Sequence, residues 1–182
     1  ECGVDGLVVE GGEGGGFKNP RDVSTMVLLP LVRSQVDVPI IAAGGFIDGA
    51  TMAAAFALGA EAVQMGTRMV SSLESPVHDN WKNSIVDAAE TDTVFLNRAH
   101  SPALRALRTE KTSRLEFETE TNAMTEFGTA LDLYFGGDME ASIALTGQVC
   151  GRIDSVRPVA EIIAEVRHEF FQVIGELSEQ YL

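Results

Sequence analysis

Apolar residues in the first third of the chain fall in short unbroken runs, and each run ends at glycine. Leu7-Val8-Val9 leads into Glu10-Gly11-Gly12, Val38-Pro39-Ile40-Ile41-Ala42-Ala43 ends at Gly44-Gly45, and Ala62-Val63-Gln64-Met65 ends at Gly66-Thr67-Arg68. Continuous rather than alternating runs are the pattern of parallel strands covered on both faces. Helical spacing fills the gaps between them. Val23 to Val36 puts Leu28, Leu29, Val32 and Val36 on one face, and a second helix starts near the N-cap residue Asp48, passes Met52, Ala55, Phe56 and Leu58, and stops at Gly59. The predicted order is strand, glycine loop, helix, strand, helix, strand, which is an α/β fold.

Beyond Arg68 the strand signal fades. Asn80–Ala89 and Ala103–Leu107 read as helices, and the acidic stretch Thr112–Glu126 reads as mostly helical. The last segment is the clearest: Val159, Ile162, Ile163, Val166, Phe170, Val173, Ile174, Leu177 and Tyr181 recur at spacings of 3, 1, 3, 4, 3, 1, 3 and 4. This predicts an amphipathic helix opened by Pro158, with Glu161, Glu165, Glu169, Gln172 and Glu176 on a solvated face. The chain therefore divides into a strand-bearing part (1–70), a mostly helical part (71–155) and a terminal helix (156–182).

Charge narrows the partners. A formal net charge of −14, with 13 scattered Lys and Arg, argues against nucleic acid and against an anionic membrane surface. No apolar run approaches the roughly 18 residues of a membrane span, and Pro30 interrupts the stretch from Met26 to Val32. Cys2 and Cys150 form neither a metal-ligand spacing nor a disulfide framework, so the expected compartment is the reducing cytoplasm. The chain opens at Glu1 almost directly on a strand, as though cut. On that reading an N-terminal half is missing, or a homodimer or partner supplies cover, and the isolated polypeptide is expected to be poorly stable.

Chemistry concentrates at the glycines. Residues 11–16 hold five glycines in six positions, free to adopt positive φ and to approach a ligand closely. They are not a P-loop, and Phe17 occupies the last position of the Gly-x-Gly-x-x-Gly frame that starts at Gly12. A flexible turn would explain this loop alone, but the neighbouring strand ends favour a ligand. If the last two strands are adjacent, N–H groups of Gly45, Gly66 and Thr67 and the Thr67 hydroxyl converge on a phosphate, with Gly44 making the turn. Glu10 and Gln64 end strands at the same rim, where either side chain can bond the edge of a heterocycle. His78, His100 and His168 show no metal-ligand arrangement.

Together, Glu10-Gly11-x-Glu13-x-Gly15-Gly16, Pro39 to Gly45, Ala57-Leu58-Gly59-Ala60 and Gln64-Met65-Gly66-Thr67-Arg68 resemble the nitronate monooxygenase family, which includes flavin-dependent enoyl-acyl carrier protein reductases. The likeness continues through Glu74-Ser75-x-x-His78, Trp81-Lys82, Thr91-Asp92-Thr93 and Thr146-Gly147-Gln148-x-x-Gly151. It implies an FMN-binding TIM-type (β/α)8 barrel of which these are the last three strands, followed by a helical insert or lid and a helix that packs back on the barrel. It also implies flavin contacts for Gly45, Gln64, Met65, Gly66 and Thr67, with Glu10 and Gly15 beside the isoalloxazine and ribityl chain. In one respect the sequence departs from the family: many members carry a catalytic histidine where this chain has Phe17, and a phenylalanine transfers no proton.

Lys18, the one cation of the glycine loop, is then a candidate to attract an anionic substrate. The leading expectation is oxidation of a nitronate with O2. The first alternative is an NAD(P)H-dependent reductase of enoyl thioesters; the others are a phosphate-binding isomerase or lyase without flavin, and a non-catalytic half barrel that needs a partner.

Overall fold

The computed structural model describes residues 3–182, so Cys2 and the start at Glu1 lie outside the described residues. In chain order the elements are β1 (Leu7–Glu10), β2 (Gly16–Lys18), α1 (Thr25–Arg33), β3 (Ile40–Ala43), α2 (Gly49–Ala57), β4 (Ala62–Gln64), α3 (Thr67–Val70), α4 (Asp79–Val86), β5 (Thr93–Leu96), β6 (Ala103–Leu107), α5 (Glu110–Phe117), α6 (Ala130–Tyr134) and α7 (Val159–Tyr181). Single 3-10 turns occupy Ala123–Glu126 and Gln148–Arg152.

The three glycine-ended runs form one parallel sheet, ordered β1-β3-β4. Glu10 pairs with Ala43 and Ala43 with Gln64, so the strands end level and their glycine loops share one rim. Leu29, Ile40, Ala42 and Ala55 are wholly buried between this sheet and its helices, each large side chain contributing about 1.5–3 kcal/mol. Val8 (54% exposed) and Ile41 (37%) project from the other face, so cover on both faces is not complete among the described residues.

The helices start and stop where side chains satisfy backbone groups. Asp48 accepts from Thr51 N at 2.8 Å and Thr51 Oγ1 accepts from Asp48 N at 3.2 Å, a reciprocal cap on α2. Gly59 (φ +98°) ends that helix in the left-handed conformation. The long terminal helix falls where its periodicity puts it and packs on α2, with Phe170 against Phe56 at 5.0 Å between ring centroids. Glu169 departs from the solvated face expected for it: its Oε2 accepts from Gly49 N at 2.7 Å, at the start of α2.

The middle of the chain corrects the sequence reading. Ala103–Leu107 is not a helix but the central strand of an antiparallel sheet, β2-β6-β5, in which Phe17 pairs with Leu104 and Gly16 with Arg105. All five β6 residues are buried. Ala-Leu-Arg-Ala-Leu carries strong helix propensity, yet tertiary pairing on both edges satisfies its backbone and outweighs that propensity. The acidic stretch is helical only to Phe117, then forms a loop and the short 3-10 turn.

Candidate functional site

Above the level strand ends lies a cavity of about 410 Å³. Its floor is glycine: Gly14, Gly15 and Gly16 after β1, Gly44 and Gly45 after β3, and Gly66 before α3. Gly44 (φ +79°) and Gly45 (φ +95°) both occupy the left-handed region, which turns the chain sharply after β3. A Cβ at Gly66 would meet nothing within 4 Å, and one at Gly45 would come no closer than 3.8 Å to Glu13. Open space therefore stands directly against backbone at both positions, and the amides of Gly45 and Gly66 donate to no backbone carbonyl among the described residues.

Thr67 is buried at the same rim, and its Oγ1 accepts from Gly147 N at 2.9 Å. With that lone pair engaged, the hydroxyl proton is free to be donated toward the cavity. Gly147 belongs to a return segment, residues 145–149, that closes one side: Leu145, Gly147 and Val149 line the cavity, and Gln148 N donates to Glu13 O at 2.9 Å. Gly15 is shaped by this contact, since a Cβ there would lie 2.6 Å from Gly147 N and from Thr146 C.

Of the residues singled out from sequence, Glu10, Gly15, Gly44, Gly45, Gln64, Gly66, Thr67 and Phe17 all line this cavity. Met65 does not; it is half-buried beyond β4. Lys18 is also turned away from it. Its ammonium is 2.7 Å from Glu10 Oε1 and donates to Gly11 O at 3.2 Å, with the side chain only 6% exposed. The cation expected to face an incoming anion is thus already paired. Arg68 points to the opposite side, where its guanidinium donates to Ser155 O at 2.9 and 3.0 Å; burial, and next the charge of Arg157, pull its pKa below the ordinary arginine value.

Other residues complete the site. Glu13 holds Thr25 N with both oxygens, at 3.1 and 3.0 Å, and lies 2.8 Å from Thr25 Oγ1, which ties the glycine loop to α1. Arg105 is buried beneath the same loop and donates from Nε to Gly12 O at 2.6 Å, with Asp22 at 3.9 Å. Burial lowers the Arg105 pKa from its ordinary value, and Asp22 opposes that shift. Phe17 stacks on Phe127 at 6.0 Å, and with Phe46, Val70, Leu145 and Val149 makes one wall apolar. Only the Thr-Gly-Gln triplet at 146–148 hinted at the return segment.

The histidines are separate from this site: His78 accepts from Asn80 N at the start of α4, and His100 has its Nε2 buried without a partner. No helix among the described residues is long and apolar enough to cross a membrane.

Comparisons with known proteins bear on the family and the fold. A "(3aS,4S,5R,7aS)-5-hydroxy-7a-methyl-1-oxo-octahydro-1H-indene-4-carboxyl-CoA dehydrogenase" of Rhodococcus jostii is 43% identical over 114 residues, 63% of this chain and 32% of the relative. A probable nitronate monooxygenase of Staphylococcus saprophyticus is 35% identical over 118 residues, 60% of this chain and 33% of that protein. Among solved structures, FabK from Thermotoga maritima superimposes with a TM-score of 0.90 at 42% identity, covering 98% of this chain and 58% of that one. The fold is also shared with nitroalkane oxidase from Streptomyces ansochromogenes, at 23% identity, a TM-score of 0.79, and coverage of 96% of this chain and 54% of that one. The chain thus spans about a third of the length of these curated relatives. The model of the nitronate monooxygenase family matches residues 1–169, nearly the whole chain, and the chain belongs to that family.

Proposed function

We propose that this chain forms the phosphate-binding end of an FMN-dependent oxidoreductase that acts on the carbon–carbon bond beside an acyl thioester. Bound FMN supplies hydride chemistry; the residues here bind it and shape the substrate end. Gly45, Gly66 and Thr67 hold the phosphate, Gly44 makes the turn, Gly15 and Gln64 lie along the rest of the cofactor, and Met65 contributes through its place between Gln64 and Gly66. The fit rests on open space in front of Gly45 and Gly66 and on the free Thr67 hydroxyl proton. Under the same reading β1, β3 and β4 are the last three strands of a (β/α)8 barrel, residues 71–155 its lid and 156–182 the helix that packs back on it.

One observation carries the choice of substrate: beside the carboxylates Glu10 and Glu13, the lining carries the apolar side chains of Phe17, Phe46, Val70, Leu145 and Val149. An acyl chain finds apolar surface there, and the thioester carbonyl finds hydrogen-bonding groups. Similarity to a carboxyl-CoA dehydrogenase points the same way. Oxidation of a nitronate with O2 is the second reading, favoured by the family and by Phe17, since an already anionic nitronate needs no imidazole to deprotonate it.

The test is anaerobic single turnover with the full, flavin-loaded chain. Bleaching of the flavin by NAD(P)H and its recovery on adding crotonyl-CoA, or bleaching by a saturated acyl-CoA alone, is the expected result. Bleaching only by an alkyl nitronate, with the colour restored when O2 is then admitted, would replace this reading with the second.

A further inference from the structure

Resting on the thioester reading, a second requirement follows from the chemistry. Redox at the carbon pair beside a thioester moves a hydride at one carbon and a proton at its neighbour, so the cavity needs a side chain that carries the proton. Glu10 and Glu13 are the only titratable side chains among the described lining residues. Both oxygens of Glu13 are engaged by Thr25. Glu10 differs: Oε1 rests on Lys18 Nζ at 2.7 Å, while Oε2 has no partner among the described residues.

The pair is held firmly. Lys18 is buried and anchored to Gly11 O, and its strand pairs with β6 through Ala103. Gly14 passes so closely that a Cβ there would lie 2.0 Å from Glu10 Oε1 and 2.6 Å from Lys18 Nζ, so any side chain at position 14 would displace the pair. Glu10 also lines a second, smaller pocket of about 160 Å³ together with Lys18, Asn19 and Arg21, and its side chain is 40% exposed, so a proton held on it can exchange with solvent.

We propose that Glu10 is the acid–base residue for the substrate carbon next to the thioester carbonyl, with Lys18 as its positioning residue. In the oxidative direction the Cα–H bond breaks, Glu10 Oε2 takes the proton, and the electron pair stays on the substrate as the enolate. The reverse step delivers a proton from Glu10 Oε2, after exchange with solvent, to the same carbon. The carboxylate then does work that an imidazole at position 17 cannot do in this chain.

The experiment is exchange of the α-hydrogens of butyryl-CoA with D2O, followed by mass spectrometry, on the full flavin-loaded chain. Wild type, Glu10→Gln, Lys18→Met and the Glu10→Gln/Lys18→Met double variant are compared, with flavin affinity measured for each. The double variant removes both charges together, so no buried ammonium is stranded. Exchange in wild type that falls by roughly 10²-fold or more in both Glu10 variants, with flavin affinity kept and only partial loss in Lys18→Met, is the expected result. Equal exchange in wild type and Glu10→Gln, no exchange in wild type, or loss of flavin affinity in place of exchange would each overturn the assignment. The thioester reading is judged separately, by net flavin bleaching in wild type.

Discussion

The two sheets meet at one cavity but are built by opposite means. The parallel sheet presents backbone: level strand ends, two left-handed glycines and a threonine hydroxyl, all within a few residues of the strands that position them. The antiparallel sheet and the return segment supply the surrounding packing, through the Arg105 side chain and through backbone amides, and each contact spans a long stretch of chain: Arg105 to Gly12, Gly147 to Thr67, Gln148 to Glu13. Binding an anion with backbone is a local property of sequence, whereas walling the ligand in depends on long-range pairing.

That difference predicts different failures. The largest effect belongs to Gly15→Val: with a Cβ forced to 2.6 Å from Gly147 N, the loop and the return segment separate, at a cost of about 2–3 kcal/mol or more and with loss of flavin binding. Chemical denaturation and flavin titration on one sample check it. Next is Arg105→Met, which strands the buried Gly12 carbonyl while Asp22 keeps its ion pair with Arg98 at 3.2 Å; stability should fall by about 2 kcal/mol, read as a lower denaturation midpoint. Thr67→Val removes the hydroxyl donor at the rim and the acceptor of Gly147 N. FMN affinity should weaken about tenfold, about 1.4 kcal/mol, and riboflavin affinity should change less.

Smaller still is Asp48→Ala, which uncaps α2 at a residue that does not line the cavity. It should lower stability by about 1 kcal/mol and leave flavin affinity alone; a change in affinity would show that the rim is less independent than its geometry suggests. The least effect concerns Cys150, whose thiol is pushed up from the ordinary value of 9.0 chiefly by burial. Because the folded pKa exceeds the unfolded one, its contribution is fully present below the ordinary thiol value and is lost as pH rises through the folded pKa. Thermal scans from pH 8 upward should show Cys150→Ala losing less stability than wild type across that window.

The same contrast explains what the sequence revealed. The parallel strands, the cap at Asp48, the stop at Gly59 and the long helix opened by Pro158 each follow from neighbours in sequence. So does the rim of Gly45, Gly66 and Thr67, because a glycine after an apolar run is a local signal. Ala103–Leu107 was illegible because its pairing with Gly16–Lys18 overrides a helical composition. Lys18 misled for a related reason: a lysine in a glycine loop reads as a free cation until Glu10, eight residues earlier, is seen beside it. Glu169 belongs to the same class, a carboxylate on a regular polar face that a distant helix start recruits.

The central claim is that the parallel strand ends form a phosphate cradle, and the most direct measurement compares FMN with riboflavin on the full chain by quenching of flavin fluorescence. The two ligands share the ring and ribityl chain and differ only in the phosphate. Two or three charge-assisted bonds at about 1.5–3 kcal/mol each predict that FMN binds at least about 100-fold more tightly, and that Thr67→Val narrows the gap. Equal affinity for the two ligands would contradict the cradle.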